Sequence, residues 1–123
     1  MNKFITIGRA TKDVELKTTP SGASVATFSV AVKRNIKNKS GEYESDFFNC
    51  VAFNKLAETI SRYVHKGDMV GVDGRLQTRS YTDKDGNNRN VTEVFVENIE
   101  FLQQKKKQEE PKIDVDPFDD LGF

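Results

Sequence analysis

Three aromatic residues and a set of nearby cations carry the clearest chemistry in this sequence. Phe47 and Phe53 stand six residues apart, and Tyr81 sits among Arg79, Ser80 and Thr82 just ahead of an Asp85-Gly86 turn dipeptide. Single-stranded nucleic acid is gripped by aromatic faces that stack bases and by cations that track phosphates. Phe47 and Phe48 are adjacent, so on a strand they face opposite sides, one towards a core and one towards the surface. Phe47 and Phe53 share their parity and therefore a face. Lys33, Arg34, Lys37, Lys39, Lys55, Arg75 and Arg79 all lie close to these aromatics in the chain. Scattered alone, such cations describe a solvated surface. Interleaved with aromatics on strands and hairpin loops, they describe a groove for a nucleic-acid strand.

Catalysis has no comparable support. The chain contains no Gly-rich phosphate loop ending in Lys-Ser/Thr and no Gly-x-Ser-x-Gly elbow. His65 is the only histidine and sits near the end of a helical segment, where a cation is ordinary. Cys50 is the only cysteine and lies mid-strand beside Val51, which suits a small core residue better than a nucleophile. With no second His or Cys, neither builds a catalytic or zinc site, so no cofactor and no metal are expected.

The elements that must position these residues are short alternating segments. Residues 4–9 read as a first strand with a weaker extension at 14–18, and Pro20, Ser21 and Gly22 make a turn. A second strand over 25–33 places Phe28, Val30 and Val32 on one face, and a polar loop follows over 35–44. The third strand spans about 46–53. Asn54 is the expected N-cap of a helix in which Leu56, Ile60, Tyr63 and Val64 recur at helical spacing, stopped by Lys66, Gly67 and Asp68. Two more strands, 69–81 and 89–102, are joined by a loop at 83–88. Three strands, a helix and two strands is the chain order of an OB-fold. The expected class is therefore all-β with one short helix, a five-stranded Greek-key barrel.

Charge divides the chain in a way the totals conceal. Net charge is zero, yet residues 1–107 carry 18 Lys+Arg against 13 Asp+Glu, and residues 108–123 carry one Lys against six acids. A basic body at +5 is thus joined to an acidic tail at −5. The barrel is expected over 1–102, and 103–117 reads as a flexible linker with too little apolar surface to offset the cost of ordering it. The tip, 118–123, sets Phe118, Leu121 and Phe123 beside Asp119 and Asp120. A disordered acidic tail gains nothing by exposing three apolar side chains, so the tip reads as a docking peptide for a partner pocket rimmed by cations. The apolar run 4–7 is too short for a secretory signal or a membrane span, and with one cysteine it points to the cytoplasm.

Together these residues resemble the bacterial and bacteriophage single-stranded DNA-binding protein family. The resemblance rests on Asn2-Lys3-Phe4-Ile5 with Gly8-Arg9, on residues 53–58 with Tyr63 and Lys66-Gly67, on residues 74–83, and on the tip 119–123. It implies base stacking at Phe47, Phe53 and Tyr81. A further stacking position aligns near Ile36, which is not aromatic and offers apolar contact only. Implied phosphate contacts fall on Lys3, Arg34, Lys55, Lys66 and Arg79, while Ser80 stands where the family is often basic. Gly122 replaces the Pro that usually precedes the terminal Phe, leaving the end more flexible. The resemblance also implies a homotetramer in the bacterial cytoplasm or nucleoid, or the host cytoplasm for a phage protein. It would protect single-stranded DNA and recruit replication, recombination and repair proteins through the tip. Two alternatives stay open on the residues alone: an RNA-binding OB module, and a protein-only adaptor.

Overall fold

The computed structural model describes residues 1–103; Gln103, expected to open the linker, instead ends the last strand, and the rest of the linker and the tip, at 104–123, lie outside the described residues. Six strands and one helix run in the order β1 (Phe4–Ala10), β2 (Glu15–Thr18), β3 (Ser24–Lys37), β4 (Tyr43–Phe53), α1 (Asn54–Tyr63), β5 (Met69–Thr82) and β6 (Asn88–Gln103). Sheet order is β1-β5-β6-β4-β3-β2, and an added β1–β3 pairing closes the sheet on itself. β1 and β2 both pair with β3, Ala10 opposite Val30 and Glu15 opposite Thr27, so they are two halves of one bent strand. The expected weak extension of the first strand is β2. Five strands, β1-β5-β6-β4-β3, therefore form the closed OB barrel.

Alternation builds the core. Even-numbered residues of β3, β4 and β5 point inward, among them Phe28, Val30, Cys50, Ala52, Val70 and Val72, all buried. Val94 and Val96 continue the inward face on β6, but Ile99 takes it over where the β5–β6 register shifts between Asp73 and Gly74. One extra residue in β6 at that bulge reverses the parity of the residues that follow, up to a second register shift opposite Met69 and Val70. Largely β-branched side chains fill the interior, each worth ~1.5–3 kcal/mol of burial, and Phe4 meets Phe48 edge-on with ring centroids 5.1 Å apart. Gly74 has no alternative: a Cβ there would lie 2.1 Å from the Phe95 carbonyl oxygen. α1 packs on β3 and β4 with lesser contact to β2 and β6, burying Ala57 and Ile60, and Val64 follows it into the core.

Several local expectations need correcting. Asn54 is not the N-cap. The chain passes from β4 into α1 without a spacer, so Phe53 (φ −126°, ψ 158°) takes the cap position with no side-chain cap bond. Asn54 makes the turn at φ 58°, a left-handed conformation that Asn tolerates better than most residues. The polar loop shrinks from 35–44 to 38–42, because β3 and β4 stay paired out to Lys37 opposite Tyr43. His65 lies two residues beyond α1, in a turn where its backbone N–H donates to Asp68 Oδ2 at 2.8 Å.

Candidate nucleic-acid interface

Strand parity assembles the site. On β4 the even residues Phe48, Cys50 and Ala52 face the core, which leaves Phe47, Asn49, Val51 and Phe53 on the outer face. Phe47 is 65% exposed, whereas Phe48 packs against the core. The pairing rule places Ala31 beside Phe47, Ser29 beside Asn49 and Thr27 beside Val51, so small side chains leave the aromatic faces open. On the adjoining hairpin, Leu76 pairs inward with Val94, and the outward pairs are therefore Arg75 with Phe95, Gln77 with Glu93, Arg79 with Val91 and Tyr81 with Arg89. Parallel pairing of Val51 with Phe95 joins the two halves into one continuous face.

Between these halves lies a groove of about 440 Å³. Its floor is polar, from Thr27, Ser29 and Asn49, and Tyr81, Arg79 and Glu93 form one wall, with Lys12 at the edge. Phe53 stacks on Phe95 with centroids 5.2 Å apart and planes at 30°, and the Arg75 guanidinium sits 4.4 Å above the Phe95 ring. Arg79 lies 5.8 Å from the centre of the Tyr81 ring. Its Nε and Nη2 donate to the two Glu93 carboxylate oxygens at 3.0 and 3.2 Å, an arrangement that leaves Nη1 pointing elsewhere. The groove and the outer face beside it thus hold π-faces, hydroxyl and amide groups, and an oriented guanidinium. That set can stack bases and neutralise phosphate, and it has no nucleophile with an adjacent base.

The expected stacking residues Phe47, Phe53 and Tyr81 share this face. Of the four expected residues Tyr81 alone lines the groove; Phe47 and Phe53 lie beside it on β4, and Ile36 is 77% exposed further out on the β3–β4 hairpin. The cations divide. Arg79 stands in the groove wall. Lys55 is exposed in the first turn of α1, two residues after Phe53, with no ion pair among the described residues. Lys3 pairs with Asp73 at 2.6 Å, close to the Arg75–Glu97 pair, and Lys66 sits in the turn after α1, its backbone N–H bound to Asp13 Oδ1. Arg34 points the other way. It is bound by Asp46 at 2.7 Å and Glu44 at 3.2 Å, both on the β4 parity opposite Phe47. That guanidinium hydrogen bond holds the Asp46 carboxyl below the usual carboxylate range.

Some participants escaped the sequence reading. Lys12, Thr27, Ser29, Asn49, Glu93 and Phe95 need cross-strand register to be found; only the parity of Asn49 between Phe47 and Phe53 was available beforehand. Cys50 is buried beneath the groove, and burial pushes its thiol pKa up to about 12. No three His, Cys, Asp or Glu side chains among the described residues are grouped to hold a metal ion, and no described helix is long and apolar enough to cross a membrane.

Comparison with known proteins agrees with this geometry. The profile of the single-strand binding protein family matches residues 1–102. A Listeria monocytogenes protein named single-stranded DNA-binding protein 2 is 49% identical over 110 residues, covering 89% of this chain and 69% of that one. Single-stranded DNA-binding protein A of Bacillus subtilis is 50% identical over 105 residues, covering 85% of this chain and 61% of that one. This chain thus spans about two thirds of the length of such relatives. Among solved structures, the Plasmodium falciparum SSB complex with ssDNA superposes with a TM-score of 0.75 at 27% identity, over 84% of this chain and 96% of that one. With the family profile covering the whole barrel, the chain belongs to the single-strand binding protein family.

Proposed function

We propose that this chain binds and protects single-stranded DNA without sequence preference, as a non-catalytic homo-oligomer that recruits replication, recombination and repair proteins through its acidic tip. The observation that carries the binding is an open groove walled by Arg79 and Tyr81, on the same outer face as exposed Phe47 and half-buried Phe53 of β4. Stacking on such rings is sequence-tolerant because every base has a π-face. Relatives named single-stranded DNA-binding proteins, and a solved neighbour holding ssDNA, support the same reading.

Self-association, read here as a tetramer, is supported by β1. Ile5 and Ile7 are 67% and 57% exposed, and Leu102 lies beside Gly71, the cross-strand partner of Ile7. β1 pairs with β3 only at Arg9 and Ala10, so its earlier residues keep one unpaired edge, the form of edge that invites a second strand. Recruitment rests on Phe118, Leu121 and Phe123 among Asp119 and Asp120.

The test is a titration of the full chain with oligo-dT, a matched ribo-oligomer and a duplex. Tight binding to oligo-dT, weaker binding to duplex and a fall in affinity with salt are expected. Equal affinity for duplex and single strand overturns the proposal, and preference for the ribo-oligomer makes it an RNA-binding protein.

A further inference from the structure

The β3–β4 hairpin extends beyond the barrel core: past Val32 on β3 and before Asp46 on β4 every residue is exposed. One large aromatic stands on that arm. Tyr43 opens β4, is 45% exposed, and has no aromatic neighbour among the described ring contacts. Its cover is cationic, with Lys33 Nζ 4.9 Å and Lys37 Nζ 5.7 Å from the ring centroid. Lys37 is its direct cross-strand partner, and Lys33 pairs with Ser45, the next outward residue.

Parity fixes which way the ring faces. Tyr43, Phe47 and Phe53 are all odd-numbered on one unbroken strand, so Tyr43 shares the outer face with the other two. At ~3.3 Å per residue it stands ~13 Å from Phe47, further along the same line. The non-aromatic Ile36 lies on the opposite strand of the hairpin, in the stretch where the β3–β4 register shifts between Lys33 and Lys37.

We propose that Tyr43 is a fourth base-stacking residue, supplying from β4 the aromatic platform that Ile36 cannot, with Lys33 and Lys37 neutralising the phosphates that flank the stacked base. This rests on the single-stranded DNA reading above and extends its groove along the hairpin. The rival explanation is that Tyr43 only packs on the two lysine stems to stiffen the arm. Exposed cation–π contacts are weak, however, so both ammonium groups can leave the ring for a phosphate at little loss.

The experiment uses the full chain and long oligo-dT. Tyr43→Ala should lower affinity by about 5- to 150-fold, the range for losing one stacked base, and Tyr43→Phe should retain it. The slope of log affinity against log salt should be unchanged in Tyr43→Ala, since no phosphate contact is lost, whereas Lys33→Ala should make it shallower. The chain has no Trp, so Tyr43→Trp introduces a single reporter. Its fluorescence should be quenched by oligo-dT and not by an abasic oligomer of equal length. Affinity of Tyr43→Ala within about two-fold of wild type, a shallower slope in that variant, or equal quenching by the abasic strand each overturns the proposal. Failure of the underlying reading would look different: wild type would not prefer oligo-dT, and Phe47→Ala would match it.

Discussion

Phe47, on the outer face of β4 beside the groove, offers a test that separates binding from folding. At 65% exposure its ring adds little to the core, so Phe47→Ala should shift unfolding free energy by no more than ~0.5 kcal/mol. Affinity for oligo-dT should nonetheless fall by ~1–3 kcal/mol, measured by anisotropy titration. Arg79→Ala should make the salt slope shallower by ~0.7, one phosphate contact on a single strand. Cys50 tests the opposite surface of β4. With its thiol buried and its pKa pushed up to about 12, it should resist iodoacetamide at pH 8 in the native protein and react on denaturation. That Phe47 and Phe53 share one face and Phe48 takes the other was legible because neighbours on a strand must part to opposite faces, and that rule needs no partner strand. Arg34 was not, because its direction follows from Asp46 and Glu44 across a hairpin whose register no local pattern reveals.

Among the elements, the hairpins are governed by pairing and the barrel staves by alternation. Strand positions followed from apolar periodicity where one face is buried. The arm beyond Val32 carries no such pattern, which is why a loop was expected over residues that are in fact paired. Asn54 misled for a related reason: an Asn before a helical run reads as a cap, but with no spacer after β4 it becomes the turn itself. Asp46 gives the arm a pH signature. Its folded pKa lies below the unfolded value of ~3.9, so the Arg34 pairing contributes fully above that value and is lost as pH falls through the folded pKa. Amide signals of the arm should therefore stay native at pH 5 and change below about 4, and Asp46→Asn should abolish that change. Asp83 behaves alike at the tip of the β5–β6 hairpin, its pKa lowered first by Arg89 and then by the loop amides. For the staves, Gly74→Ala forces a Cβ against the Phe95 carbonyl and should cost at least ~3 kcal/mol in urea unfolding.

At the scale of the whole molecule, the basic body proves less basic than the chain division suggested. Residues 1–103 carry 15 Lys+Arg and 13 Asp+Glu, and the rest of the +5 comes from Lys105, Lys106 and Lys107. Placement therefore matters more than net charge, and deleting residues 119–123 should leave oligo-dT affinity unchanged or raise it by removing a competing polyanion. Light scattering of Ile5→Asp should report a smaller particle than wild type if β1 carries self-association. One further feature bears on how the barrel forms. β4 and β6 meet through two register pairs, Cys50 with Val94 and Val51 with Phe95, whereas β5 and β6 pair along nearly their full length. Joining segments so distant in the chain is slow, because the loop between them must close before the contacts return anything. This short parallel seam should then be the last to zip in folding and the first to breathe in the native state, with fast amide exchange at its few hydrogen bonds. Phe53 and Phe95 stack across that seam, so a strand laid over them would hold the cylinder shut, slow its exchange and delay its unfolding.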